Sequence, residues 1–590
     1  MPRRSAEGLP IGPQPRRRWL ALAGIFAVGL VIYWPALRSG FLLDDYLHAS
    51  MIDGTYPVAR GPFNLYDFVA EGDHARMLER GMLPWWANPD LEIRFLRPLP
   101  SALRWGEQRL FGRDRFVHHV HSFFWWIVAV VAAGRLYRRL VAPRPALLAT
   151  AIFALAPCHA VPLAWLANRE ALISLALGTL ALNSYLGWRD ERRVAHAVGA
   201  AALFAAAMTA GEYSLCLGAY AVALALLAPG KSLDGPGAPK DGWVRRFAGL
   251  LSFGVPAAAY LVVRAWLGYG SRGSALYIDP VHETLTFLGV APRRFARLEL
   301  MEWFTLDSSD PTVPTLIIIV VAMIALLAVA LRRTISAADP ETRGYALAML
   351  MGSQLSLVPL LAVEPGPRVL GMAVLGLAPV VALVLDRAWF PPSPLPRGGV
   401  DELVGLTALV LGFFQLVHGP GTAWLVGAYC QRRSRDFAAG VAELRDRLGD
   451  LHDKEIIVLH ARSENSFFMP FALDPDGKPL ARWRILATTG HVLALRHGAR
   501  NLELVVSKEQ SLFSWDLFRQ SSSSPAAGDV FDTHGLRAKV LEVGPLGPRR
   551  VEFEFDRDLD APDLAWIAES SQGTYPSVTL PQPPFGMPFD

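Results

Sequence analysis

Two adjacent carboxylates, Asp44 and Asp45, stand in the run Gly40-Phe41-Leu42-Leu43-Asp44-Asp45-Tyr46. The run directly follows a first apolar stretch, so the pair falls where a bilayer would end. Like charges side by side raise one another's pKa, and both are costly to desolvate at a membrane surface. Such a pair suits a general base, or an anchor for a hydroxyl or a metal ion. The competing structural reading is a turn or a helix N-cap, where Asp is common.

Other ionisable residues recur at the ends of apolar runs. Arg97 lies in Arg94-Phe95-Leu96-Arg97-Pro98-Leu99. Its guanidinium would match phosphate oxygens bidentately or snorkel toward lipid headgroups. His118-His119-Val120-His121 has metal-like spacing but no obvious carboxylate partner, so no metal site is expected there. The segment from Ala156 to Glu170 carries His159, Trp165, Arg169 and Glu170 at the mouth of two apolar helices. Packing alone gives no reason for ionisable groups there, although Glu170 also suits a helix N-terminus and Trp165 an aromatic belt. Glu212 follows Gly211, and Arg368 ends the run Glu364-Pro365-Gly366-Pro367-Arg368.

The elements that must position these residues are membrane helices. Of 590 residues, 52% are hydrophobic and only 19% charged, below the roughly 25% usual in soluble domains. This composition excludes disorder, collagen, a coiled coil and a compact cytosolic enzyme. A net charge of +4, widely dispersed, excludes a nucleic-acid surface. Apolar runs at about 19–37, 116–137, 145–163, 169–187, 195–210, 213–229, 247–266, 313–331, 343–362, 369–389 and 401–420 predict about eleven transmembrane helices. The first reads as an uncleaved span following a cytoplasmic N-terminus, residues 1–18, because Arg3, Arg4 and Arg16–Arg18 precede it. Basic clusters after the second, fourth, sixth and eighth runs agree with that orientation. It places a long loop (39–115), a second loop (267–312) and the tail from 430 outside. Arg432, Arg433 and Arg435 oppose the rule at the last boundary.

On this topology Asp44, Asp45, His159, Arg169, Glu212 and Arg368 converge on one membrane face, forming a polar cleft at the outer leaflet. The transmembrane region spans 19–429. The tail, 430–590, reads as a small soluble α/β or β-rich domain. An amphipathic helix is predicted at 434–449, with Phe437, Val441, Leu444 and Leu448 on one face, and strands at 455–460, 483–487, 502–506, 538–543 and 551–555. The Pro-rich end, 575–590, is expected to be irregular. Cys158, Cys216 and Cys430 are too far apart to form a motif and read as small buried hydrophobes.

The acidic pair after the first span, the Arg97-Pro98-Leu99 segment and the bend from Pro157 through His159, Trp165 and Arg169 together resemble the integral-membrane GT-C glycosyltransferases. The resemblance is to the protein O-mannosyltransferase branch, including members that carry tetratricopeptide repeats. It covers roughly 19–390. The bend departs from that branch's pattern at Cys158 and Pro162, Gly211 replaces the usual Lys before Glu212, and the tail lacks the repeats.

The resemblance implies a GT-C-like α-helical polytopic enzyme. It would move a sugar, with mannose one candidate, from a polyprenyl-phosphate donor to an acceptor hydroxyl on a protein or glycan at the extracytoplasmic face. Asp44, or less favourably Asp45, would be the general base. Arg169 and Arg368, with Arg97 in support, would hold the donor phosphate, and His159, Glu212 and Trp165 would complete the site. Beyond the lipid-linked donor no cofactor is expected; a divalent metal is left open, with no ligand set standing out. Partners would be membrane lipids, the donor and the acceptor, with no nucleic acid. The expected location is a bacterial inner (plasma) membrane, with the C-terminal domain extracytoplasmic. The competing reading is a transporter or flippase of lipid-linked sugars. That class tends to place charges at the midplane and to use inverted repeats, whereas the charges here lie at helix ends.

Overall fold

The computed structural model describes residues 15–589 apart from 229–246, 275, 279, 281–282, 308–313, 392–398, 450–453, 474–481, 514–516, 521–522 and 582–585. The described residues of each of the eleven apolar runs lie largely on helix. Five helices are individually long and apolar enough to cross a bilayer: Arg115–Leu140, Leu166–Glu191, Pro340–Ala362, Gly371–Trp389 and Glu402–Leu448. Pro143–Ala154 and Pro157–Ala164 make a sixth if counted as one span bent by 41°. The bend falls at Ala156-Pro157, where proline removes a backbone donor and biases its predecessor away from helix. Trp19–Ile32, Val194–Ala210, Glu212–Leu227 and Leu251–Trp266 are shorter apolar helices. By length and composition alone the described residues thus supply five or six candidate spans, with further apolar runs on shorter helices.

The helices pack closely through small residues. A Cβ at Gly376 would come within 2.3 Å of the Met349 carbonyl and 2.6 Å of the Tyr220 hydroxyl, so only glycine permits that approach. Tyr220 donates to the Met372 carbonyl at 2.5 Å, which satisfies its hydroxyl in the apolar interior.

The last apolar run and the predicted amphipathic helix are one element. Glu402–Leu448 continues for 47 residues through a π-turn at Phe414–His418. At 1.5 Å per residue it is about 70 Å long, more than twice the roughly 30 Å hydrocarbon core. Arg432, Arg433 and Arg435 lie on this continuing helix, beyond the length needed to cross a bilayer.

The tail contains two sheets. One is six-stranded and antiparallel, in the order Gly586–Phe589, Val492–Arg496, Asn501–Val505, Gly547–Phe555, Leu536–Gly544, Val530–Thr533. The other is parallel and three-stranded, in the order Leu564–Ile567, Glu455–Val458, Arg482–Ile485. All five predicted strands are present. Strands Val492–Arg496, Val530–Thr533, Leu564–Ile567 and Gly586–Phe589 were not expected. The last corrects the irregular ending expected for 575–590: it pairs with Val492–Arg496 as an edge strand, a position that tolerates Pro588.

The tail is not a separate module. It shares one hydrophobic core with the 39–115 loop, in which Met51, Tyr56, Trp85 and Trp86 join Ile457, Trp483, Leu504 and Phe553. Trp85 donates to the Leu486 carbonyl at 3.1 Å, and Arg519 donates to the Trp86 carbonyl at 2.6 Å. Gly81, at φ +73°, lies so close to Trp483 that a Cβ would stand 1.9 Å from its carbonyl oxygen.

Candidate active site

The acidic pair begins a helix, Asp44–Asp53, immediately after Leu43, which has φ 45°. A leucine in that region is strained, at a cost on the order of 1–3 kcal/mol, and such strain concentrates at functional sites. The turn is held from outside. The Gly40 N–H donates to Ser434 Oγ at 2.8 Å, and Tyr46 packs edge-on against Phe437 at 5.0 Å, both partners lying on the long helix.

The two carboxylates have different surroundings. Asp45 is 0% exposed and accepts three backbone N–H groups, from Leu42 at 2.9 Å, Ala167 at 2.7 Å and Leu166 at 3.4 Å. Both its oxygens are thus spent joining the first loop to the 166–168 turn. Asp44 is half-buried, and among the described residues its carboxylate makes no hydrogen bond or ion pair. Burial, then Asp45, Glu464 and Glu170, push its pKa up to about 7, against the opposing pull of Arg368. Burial likewise raises Asp45 to about 6, against Arg104 and the three N–H donors.

Arg169 departs from the phosphate role expected of it. Its Nε donates to Ser122 Oγ at 2.8 Å, one terminal nitrogen pairs with Glu107 at 2.7 Å, and the other donates to the His118 carbonyl at 2.6 Å. Every guanidinium nitrogen is occupied, and freeing one would strand a buried charge. Glu107 also accepts from His121 at 2.6 Å and His118 at 3.0 Å. Burial would raise its carboxyl, but Arg169 and the two histidines outweigh that and hold it well below the usual range. The histidines therefore do have a carboxylate partner, contrary to the sequence reading. Among the described residues no group of three or more His, Cys, Asp or Glu is arranged to hold a metal ion.

Arg97 bridges two acids, Glu170 at 3.1 Å and Glu212 at 3.1 Å, and its guanidinium lies over the rings of Phe95 and Tyr66. Tyr66 donates to the Ala167 carbonyl at 2.7 Å, so the loop and the turn are locked a second time. His159 is buried, bonded through Nε2 to the Phe153 carbonyl at 2.8 Å and packed edge-on against the Phe153 ring at 5.0 Å. Those contacts are structural.

Arg368 is different. Its guanidinium lies 5.8 Å from the Trp165 ring centre, and among the described residues it has no carboxylate partner or hydrogen bond. It lines a small cavity with Tyr213, His159 and Met372. Around it, Trp165 Nε1, Asn168 Oδ1, Glu170 Oε2 and the Tyr213 hydroxyl are buried without a partner among the described residues. Buried polar atoms are normally satisfied, so this concentration marks a polar site rather than packing.

The sequence reading missed Glu107, Tyr66, Tyr213 and the tail residues Arg433 and Glu464. Arg433 pairs with Glu464 at 2.5 Å and donates to Asn465 at 3.0 Å, bringing the tail's charge up to Asp44. The spacing of Arg104 and Glu107, three apart on one helix and just before the histidine cluster, was the available signal for the first.

No family model and no curated protein matches the sequence. Solved structures do. The oligosaccharyltransferase of Archaeoglobus fulgidus, tethered to an acceptor peptide containing the NVT sequon, is similar at 11% identity and a TM-score of 0.40, covering 79% of this chain and 64% of that one. ArnT from Cupriavidus metallidurans bound to undecaprenyl phosphate is similar at 14% identity and a TM-score of 0.39, covering 77% and 84%. AglB from Archaeoglobus fulgidus, in complex with an inhibitory peptide and a dolichol-phosphate, is similar at 10% identity and 0.39, covering 80% and 65%. The match thus spans just under two thirds of the archaeal chains.

Proposed function

We propose that the protein is a membrane glycosyltransferase that moves a sugar from a polyprenyl-phosphate donor to an acceptor hydroxyl at the extracytoplasmic face. Mannose is the sugar favoured by the sequence resemblance, and the acceptor is a protein or a glycan. The observation that carries this reading is a carboxylate, Asp44, unpaired among the described residues, raised to about 7 and within electrostatic reach of a guanidinium, Arg368, likewise unpaired among them. A general base works best with a pKa near the operating pH.

In this mechanism Asp44 takes the proton of the acceptor hydroxyl as its oxygen attacks the anomeric carbon. The bond from that carbon to the phosphate oxygen breaks, and the leaving polyprenyl phosphate keeps the electron pair. Arg368 neutralises the charge that develops on the phosphate. Arg97 supports this role from beside Glu170 and Glu212, and Trp165 backs the Arg368 guanidinium. Asp45, Arg169 and His159 keep the loop and the bend in place.

The test is incubation of the purified protein with labelled polyprenyl-phosphate sugars and envelope extract. The mechanism predicts label in a hydroxyl-linked product and release of unlabelled polyprenyl phosphate. Label that crosses the bilayer while remaining on the lipid would instead support transport.

A further inference from the structure

A second cavity, of about 250 Å³, lies against the opposite face of the turn that carries Arg368. Pro367, Leu370 and Val374 line it, whereas Arg368, Val369 and Met372 line the smaller cavity described above. The spacing i, i+3, i+7 places the first set together on one helical face. The lining is apolar at residues such as Met301 and Leu306 and polar at Glu302, Thr305, Asp307, Gln415, His418 and Thr422.

Three features of the polar lining residues point to a ligand. Glu302 is 1% exposed; one of its oxygens accepts the Ser353 hydroxyl, and the other has no partner among the described residues. Thr305 adopts φ 51°, an outlier for a β-branched residue, and its hydroxyl bonds His418 Nδ1 at 2.7 Å. His418 ends the π-turn Phe414–His418, a distortion common at functional sites.

Among the described residues the lining contains no lysine or arginine. Arg297 stands behind the lining residue Asp307, pairing with it at 3.0 Å and with Glu364 at 2.7 Å, so its charge is already balanced by two carboxylates. A phosphate would meet Glu302 and Asp307 with no unpaired cation among the described residues. A hydroxyl suits the unpartnered Glu302 oxygen in either protonation state, because it both donates and accepts. Phe413 and Val417, on the same long helix, are exposed apolar side chains that would guide an alkyl chain toward lipid.

We propose that this cavity binds the hydroxylated head of a neutral glycolipid-type amphiphile, its chain lying along the Met301–Leu370 wall. The proposal does not depend on sugar transfer at Asp44. It is tested with the full chain in lipid nanodiscs by equilibrium binding of labelled decyl glucoside, decyl phosphate and decylamine. Decyl glucoside should bind at least about tenfold more tightly than the other two, a difference on the scale of one buried hydrogen bond. Thr422→Leu, which narrows the cavity without touching the Glu302–Ser353 bond, and Glu302→Leu should each weaken it about tenfold, while Leu546→Ala, at an exposed position of the tail, leaves it unchanged. Unchanged glucoside affinity in Thr422→Leu, or equal binding of decyl phosphate or decylamine, would overturn the proposal. Thr422→Leu alone decides if Glu302→Leu fails to fold.

Discussion

The Asp45 carboxylate accepts the Ala167 backbone N–H at 2.7 Å. That bond ties the start of the 39–115 loop to the turn between two apolar helices and leaves the adjacent Asp44 side chain unbonded among the described residues. The division of labour within the pair sets the first prediction. Asp44→Asn should cut transfer by roughly 10²–10⁴-fold with membrane insertion unchanged. Asp45→Ala should chiefly lower thermal stability, because it strands buried N–H donors at about 1–3 kcal/mol each. Full activity in Asp44→Asn would remove the general base.

The pH dependence follows from the same group. Asp44 is raised to about 7, so kcat/KM should rise with pH through that value and level off above it. Stability should move the other way. A carboxyl with a folded pKa above its unfolded value binds more protons when folded between about 4 and 7, so it loses stability as pH rises through that window. Asp44→Asn should flatten the rate profile and reduce the melting trend to the share of Asp45, itself raised to about 6, as profiles between pH 4 and 9 would register.

Two arginines should separate by readout. Arg368→Ala should raise the donor KM while the fold is kept, because no carboxylate is left stranded among the described residues. Arg169→Ala should instead destabilise the protein by about 3–5 kcal/mol, since Glu107 would lose its buried partner. An Arg368→Ala variant altered only in acceptor preference would refute the phosphate role.

The sequence made the helices legible because long apolar runs admit few alternatives, and it picked out Asp44, Asp45, Arg97, His159, Trp165, Arg169, Glu212 and Arg368 because ionisable and aromatic residues at helix ends stand out. It could not divide their roles. Asp45 and Asp44 are equivalent as a pair, and only the backbone donors of 42, 166 and 167 distinguish them. Arg169 looked like a phosphate ligand because Glu107 lies 62 residues away in sequence. The short strands Val492–Arg496 and Leu564–Ile567 were missed because their alternation is brief, and the union of loop and tail rests on contacts such as Trp85 to Leu486, 401 residues apart.

That union yields a topological prediction. Segments sharing one core must lie on the same side of the bilayer, which requires an even number of crossings between the loop and the tail. The ten apolar runs after the first satisfy this. Single cysteines placed at the exposed Phe63 and Leu546 should both react with a membrane-impermeant thiol reagent from the extracytoplasmic side, the three native cysteines being buried. Reaction of only one from that side would contradict the shared core. Gly81→Ala should loosen the same junction, seen as a lower melting temperature, because its Cβ would meet the Trp483 carbonyl at 1.9 Å.

The most direct measurement is single-turnover transfer from a labelled polyprenyl-phosphate sugar by wild type and Asp44→Asn, with donor affinity determined on the same preparations. The expected result is donor binding within about twofold of wild type and transfer slower by at least about 10²-fold. Equal transfer rates, or a loss explained entirely by failure to bind donor, would contradict an acid–base role for Asp44.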